Sequence, residues 1–148
     1  MADENRQKGF KTLEYMGDEY IEAYGSTLEE AYSNAALAMF ETMTDTSKVE
    51  PKVKETIEVE EEDLKSLLYS WLESLLVKNG AENKLYSKFI VEKITHSNGS
   101  YKLRARVFGE EFDHNRHPSK TEVKAVTYHL MEIGHTGKGY LIRFLLDL

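Results

Sequence analysis

Asp147 stands where a carboxylate is hardest to accommodate. It closes the otherwise apolar run Tyr140-Leu141-Ile142-Arg143-Phe144-Leu145-Leu146. A carboxylate buried there without a partner is costly. A hard divalent cation relieves that cost, and the terminal carboxylate of Leu148 adds oxygens beside it. Taken alone, the position reads first as a frayed chain end and second as a site. His114 and His117, three apart in Asp113-His114-Asn115-Arg116-His117-Pro118, are a second candidate, since neutral imidazoles ligate metals. With no cysteine and no further histidine nearby, a polar loop between strands is the favoured reading. His129 lies in an apolar run and reads as a hydrogen-bonded core histidine; His96 and His135 fall in turns. Gly134-His135-Thr136-Gly137-Lys138-Gly139 evokes a phosphate loop, but its spacing departs from G-x-x-x-x-G-K-[ST] and strand patterns flank it, so it reads as a hairpin turn. Lys102, Arg104 and Arg106 form a cationic strip, too small to hold RNA against a net charge of -7, and read as a solvated sheet face. No Ser/His/Asp order, acid–base pair or dinucleotide fingerprint is present, so these residues leave function open.

The elements that position these groups follow from periodicity. Ser26-Thr27-Leu28-Glu29 reads as a capping box, and Leu28, Ala31, Ala35, Ala38, Met39 and Met43 recur on one helical face behind it. A second helix is predicted from about Glu62 to Asn79. Leu64, Leu67, Leu68, Trp71, Leu72, Leu75 and Leu76 form its apolar stripe, and Gly80 sits at the expected left-handed cap. The acid run Glu60 to Asp63 suits the positive end of that helix; a metal patch is the alternative. Strands are predicted at Tyr20 to Tyr24, around Val53, Ile57 and Val59, at Phe89 to Thr95, Tyr101 to Phe108, Val123 to Ile133 and Tyr140 to Leu148. Asn98-Gly99 supplies a type I′ hairpin turn. The order β-α-β-α-β-β-β-β predicts an α+β two-layer sandwich, a mixed sheet with both helices on one face. Residues 1–9 are polar and expected to be flexible, leaving 10–148 as one domain.

Composition narrows the class. The chain has 148 residues and no cysteine, which removes disulfides, thiolate zinc sites, Fe–S clusters and cysteine nucleophiles. With 26 acids against 19 bases, it is not built to grip phosphate backbones directly. No apolar run approaches a membrane span and no signal-peptide core follows Met1, so a cytoplasmic protein without membrane contact is expected.

In combination, the segments Ile21 to Ala31, Ala35 to Phe40, Met43-Thr44-Asp45, Val49-Glu50-Pro51, Glu62-Asp63-Leu64 and Ser66-Leu67-Leu68 closely resemble the archease family. The most specific match is Glu122-Val123-Lys124-Ala125-Val126-Thr127-Tyr128-His129, with His117 upstream and Asp147 at the end. The resemblance implies a non-enzymatic helper of the RtcB-type RNA ligase that joins tRNA halves after intron removal. It would promote ligase guanylylation and repeated turnover, meeting RNA only through the ligase. It also implies a divalent-cation site, for Ca²⁺ or else Mg²⁺ or Mn²⁺, made by Asp18, Asp147 and Leu148, with Glu14 as a third, weaker ligand. Lys124 is the matching lysine, suited to a nucleotide phosphate or to partner acids, or equally to pairing across the sheet as a surface lysine. At the N-terminal motif the family usually reads Asp-His-Thr-Ala-Asp. Here Glu14-Tyr15-Met16-Gly17-Asp18 keeps the outer acids and replaces the histidine and threonine. The alternatives are a metal-dependent phosphate-transfer or hydrolytic enzyme acting alone, or a general binding or chaperone module.

Overall fold

The computed structural model describes residues 9–148. The stretch expected to be flexible therefore lies outside the described residues, apart from Gly9. That residue is buried, and its carbonyl accepts from the Tyr24 amide at 2.8 Å. The chain runs β1 (Phe10–Tyr15), β2 (Asp18–Gly25), α1 (Leu28–Met43), a short 3-10 turn (Thr46–Lys48), β3 (Val53–Glu61), α2 (Leu64–Glu82), β4 (Lys84–Ser97), β5 (Ser100–Glu111), β6 (Ala125–Thr136) and β7 (Gly139–Asp147).

The α+β sandwich expected from the sequence is present, but its strands pair differently. Two antiparallel sheets, ordered β1-β2-β7-β6 and β3-β5-β4, replace the single mixed sheet. The crossovers explain this. Helix α1 carries the chain from the first sheet to the second, and α2 joins β3 to β4, which stand on either side of β5. No two parallel strands become hydrogen-bonded neighbours. Strand β1 is an addition to the predicted set. Its apolar residues fall on both faces and four of its six positions are exposed, so no one-sided pattern announces it. It turns into β2 through Met16 and Gly17, at φ 49° and 88°, the two positive values that a type I′ turn requires. Asn98-Gly99 makes the other such turn, as predicted.

Helix α1 starts one residue later than expected. Strand β2 holds Gly25 opposite Tyr140, so Ser26 turns the chain and Thr27 takes the cap, its hydroxyl accepting from the Glu30 amide at 3.1 Å. Glu29, freed from capping, accepts from the Ile94 amide at 3.1 Å. The alanine-rich face lets α1 lie close against β2 and β4, one strand from each sheet. Helix α2 is capped by Asp63 alone of the acid run; Glu60 and Glu61 end β3, where they accept from the Ser100 and Ser70 hydroxyls. It continues past Gly80 to Glu82, and Asn83, not Gly80, adopts the left-handed conformation.

Two reciprocal bonds fasten the helices together. Trp71 Nε1 donates to the Tyr32 carbonyl at 2.9 Å, and the Tyr32 hydroxyl donates to the Leu64 carbonyl at 2.5 Å. Around them Ile21, Phe144, Leu67, Leu72, Leu103 and Val107 join both sheets and both helices in one core. No described helix is long and apolar enough to cross a membrane.

Two glycines make opposite predictions. A Cβ at Gly109 would collide with the Leu85 carbonyl across the β4–β5 pair, whereas one at Gly80 would meet nothing. Gly109→Ala should lose about 1–3 kcal/mol of stability. Gly80→Ala should gain about 0.5–1 kcal/mol, because glycine is a poor helix residue. Urea midpoints at unchanged slope check both.

Candidate metal centre

Strand pairing decides where the candidate acids go. β2 and β7 run antiparallel with Glu19 opposite Leu146 and Ile21 opposite Phe144. Continued by one residue, that register sets Asp18 opposite Asp147. The amide of Leu148 donates to Asp18 Oδ1 at 3.2 Å, and the Asp147 carbonyl accepts from the Lys124 amide at 2.8 Å. Asp18, Asp147, Leu148 and the backbone of Lys124 thus meet at one end of the first sheet. Asp18 is half-buried and Asp147 exposed. Glu14 falls on the other face of β1, opposite Glu19, whose carboxylate accepts from the Thr42 hydroxyl on α1. Tyr15 is the residue paired with Asp18.

Neither Asp18 nor Asp147 has a cationic partner among the described residues. Nor do three or more histidine or acidic side chains converge anywhere among them. Two carboxylates from adjacent strands, with main-chain oxygens beside them, suit an oxygen-seeking divalent ion that keeps several waters. They do not make a closed cage.

A bulge overlooks this end of the sheet. β6 pairs with β7 through Thr127 and again from Glu132, so the four residues Tyr128 to Met131 leave the ladder. Leu130 sits at φ 60°, a strained value for a bulky side chain, and the Tyr20 hydroxyl donates to its carbonyl at 2.8 Å. Burial, with Glu132 nearby, pushes that hydroxyl above its ordinary range, so it remains a donor. His129 is consequently not a core residue. The bulge turns it out to solvent, with its ring 6.4 Å from that of Tyr15. Tyr128 stacks on Tyr69 of α2 at 4.7 Å. A left-handed leucine has no sequence signature, so this feature was not legible beforehand.

The other candidates resolve into structure. His117 is buried and does not pair with exposed His114. Its Nδ1 accepts from the Asp113 amide at 2.9 Å, which makes Nε2 the donor toward Glu110 at 2.8 Å. Glu110 also accepts from Arg116 at 2.6 Å and from the Glu50 amide at 2.8 Å. Burial alone would raise its pKa, but the bonds from Arg116, Glu50 and His117 outweigh burial and hold it at about 2. Glu110 has no local sequence signature because its partners come from two separate loops, one before β3 and one after β5. In the cationic strip, Arg104 meets Glu58 at 3.5 Å and Arg106 meets Glu92 at 3.2 Å, so flanking strands pair two of its three cations. Of Gly134 to Gly139 only Gly137 and Lys138 form the β6–β7 turn; His135 pairs with Tyr140 in the ladder, and His96, likewise not in a turn, pairs with Tyr101 in the β4–β5 ladder.

The chain matches the profile of the Archease protein family (MTH1598/TM1083) over residues 10–148. It is 47% identical to Protein archease of Sulfurisphaera tokodaii, over 94% of this chain and 98% of that one. It is 48% identical to Protein archease of Pyrococcus furiosus, over 81% and 84%. The solution structure of protein 1598 of Methanobacterium thermoautotrophicum superposes with a TM-score of 0.84 at 45% identity, covering 95% of this chain and 99% of that one. The crystal structure of an archease, possible chaperone, from Thermotoga maritima shares the fold at TM-score 0.57 and 16% identity, covering 93% and 96%.

The Glu110 cluster predicts an acid limb. Its carboxyl lies below the ordinary 4.5, so its stabilisation is complete above about pH 4.5 and disappears as pH falls toward 2. Glu110→Gln should be less stable than wild type at pH 7, with the gap closing between those values in thermal melts. A gap that persists unchanged at pH 2 would contradict the assignment.

Proposed function

The chain belongs to the archease family, and from that premise we propose that it is a non-catalytic activator of an RtcB-type tRNA-splicing RNA ligase. In this reading it promotes guanylylation of the ligase so that one ligase molecule turns over repeatedly. The observation that carries it is the facing of Asp18 and Asp147 on neighbouring strands without a base. Like charges at facing positions of neighbouring strands repel, and a cation between them relieves the repulsion. We assign Asp18, Asp147 and the main-chain oxygens of Leu148 as ligands of a divalent ion, Ca²⁺ or else Mg²⁺ or Mn²⁺. Such an ion, when bound, offers a positive centre with exchangeable positions for phosphate or carboxylate oxygens of a partner. Asp18 and Asp147 hold it, and the Leu148 amide keeps Asp18 oriented.

A protein partner is further supported by the exposed apolar side chains of the first sheet. Of the seven exposed large apolar side chains among the described residues, five (Leu13, Tyr15, Met16, Tyr128 and Leu130) lie on β1, its turn or the β6 bulge. Such concentration marks an interaction surface better than scattered exposure does. A general chaperone role, suggested by the description of the Thermotoga maritima relative, is the second reading, and it predicts capture of many unrelated unfolded proteins. An enzyme acting alone would need a nucleophile or base at the acid pair, and none lies among the named contacts.

Mixed with a cognate ligase, GTP and Mn²⁺, the protein should raise the number of turnovers per ligase. An unchanged number would remove the activator reading. In calorimetry, Asp147→Ala should weaken Ca²⁺ binding by roughly tenfold or more, about 1.4 kcal/mol. Ca²⁺ should also raise the melting temperature of the wild type but not of the variant.

A further inference from the structure

A cleft of about 570 Å³ opens between the last turns of α2 and residues 119–124, which lead into β6. Its floor is apolar, built from Met43, Leu76, Leu85, Phe112 and Val123. Its walls are held in place by main-chain bonds. Lys120 and Thr121 donate to the Met43 and Thr42 carbonyls at the end of α1, at 3.0 and 3.2 Å, and Phe112 donates to the Asn83 carbonyl at 2.8 Å. The cleft is therefore largely pre-formed, which lowers the cost of filling it.

Gly80 lines the cleft. Inside a helix, glycine costs about 0.8–1.0 kcal/mol relative to alanine. Here neither a positive φ nor a close neighbour requires it, since a Cβ would meet only open space. What the missing side chain leaves is access to the apolar floor. The charge of the rim is also reversed relative to the chain. Lys120 and Lys124 stand against Glu122 alone, in a protein of net charge -7. The Lys120 ammonium is occupied by the Glu41 carbonyl at 2.6 Å, while the Lys124 side chain has no partner among the described residues. The side chains of Asn83 and Thr121 are likewise unengaged.

An apolar floor, one free cation and free amide and hydroxyl groups together match an extended peptide. Such a segment would bring apolar side chains for the floor, main-chain groups for Asn83 and Thr121, and a carboxylate for Lys124. The Lys124 amide bonds the Asp147 carbonyl at 2.8 Å, so an occupant would lie next to the candidate metal centre. We infer that the cleft receives an extended segment of the ligase that combines apolar and acidic side chains. This inference rests on the ligase reading of the preceding section.

Gly80→Trp tests it by filling the cleft from a position with space for the ring. Gly80→Ala and Gly137→Trp are controls, because a Cβ at Gly137 also meets nothing. Affinity of each intact protein for the intact ligase is measured by calorimetry, alongside thermal melts. Gly80→Trp should weaken binding roughly tenfold or more while both controls bind as wild type does. Should the tryptophan variant melt well below wild type, Lys124→Glu replaces it, with a loss of affinity expected that Lys124→Arg does not share. Equal affinity of wild type and of the folded cleft variants overturns the inference and leaves the activator reading intact. Absence of wild-type binding overturns both. Binding of GTP alone, abolished by Gly80→Trp, overturns the inference by assigning the cleft to a nucleotide.

Discussion

The pairing of β2 with β7 holds the rest in place. These strands come from opposite ends of the described chain, with Asp18 and Leu148 separated by 130 positions. Together they form the middle of the first sheet, with β1 and β6 completing it on either side. Their inward residues Ile21, Ala23, Ile142 and Phe144 provide the floor on which α1 lies. A register slip of one residue would turn these apolar groups to solvent and bring Tyr20 and Arg143 into the core. The same register fixes the facing of Asp18 and Asp147, so the site is no less precise than the core beneath it.

Electrostatics along the outer face of this sheet is graded. At mid-strand Arg143 bridges Glu22 and Glu132 at 3.0 and 2.8 Å, and Lys11 approaches Glu22 at 3.7 Å. The next stretch is aromatic and aliphatic, with Tyr20, Leu145 and the strained Leu130. At the far end the two aspartates have no such compensation. A cluster at the rim of the second sheet is the reverse case. Glu110 is buried but accepts three hydrogen bonds, and its charge is fully matched. The matched Glu110 ties the loop before β3 to the loop after β5.

Much of this was legible in the residues. The stripe on α2, the alanine face of α1, the Asn98-Gly99 turn and the alternation of Leu103, Ala105 and Val107 with basic residues are local patterns, and local patterns survive into the fold. What escaped was either non-local or without a residue-type signature. Glu110 depends on Glu50, Arg116 and His117, which only the folded chain assembles. Met16 and Leu130 adopt left-handed conformations that their side chains disfavour; the β1–β2 hairpin imposes the first, and the β6 bulge with the Tyr20 bond holds the second. Gly80 looked like a cap because glycine ordinarily is one, yet Asn83 takes that role. The acid pair was legible only in part. Asp147 was conspicuous at the end of an apolar run, whereas Asp18 drew notice through family resemblance, and its partner was decided by strand order.

The placement of β7 also bears on how the chain is made. β7 leaves the ribosome more than a hundred residues after the β1–β2 hairpin. At roughly 5–20 residues per second, β2 waits on the order of ten seconds for its neighbour. For that interval one edge of a half-apolar hairpin has no strand to pair with, a template for wrong partners. The second sheet, whose strands β3, β4 and β5 are contiguous except for α2, can close during this wait. Only when β7 arrives do the two aspartates face one another, so the candidate centre cannot form before β7 has paired with β2.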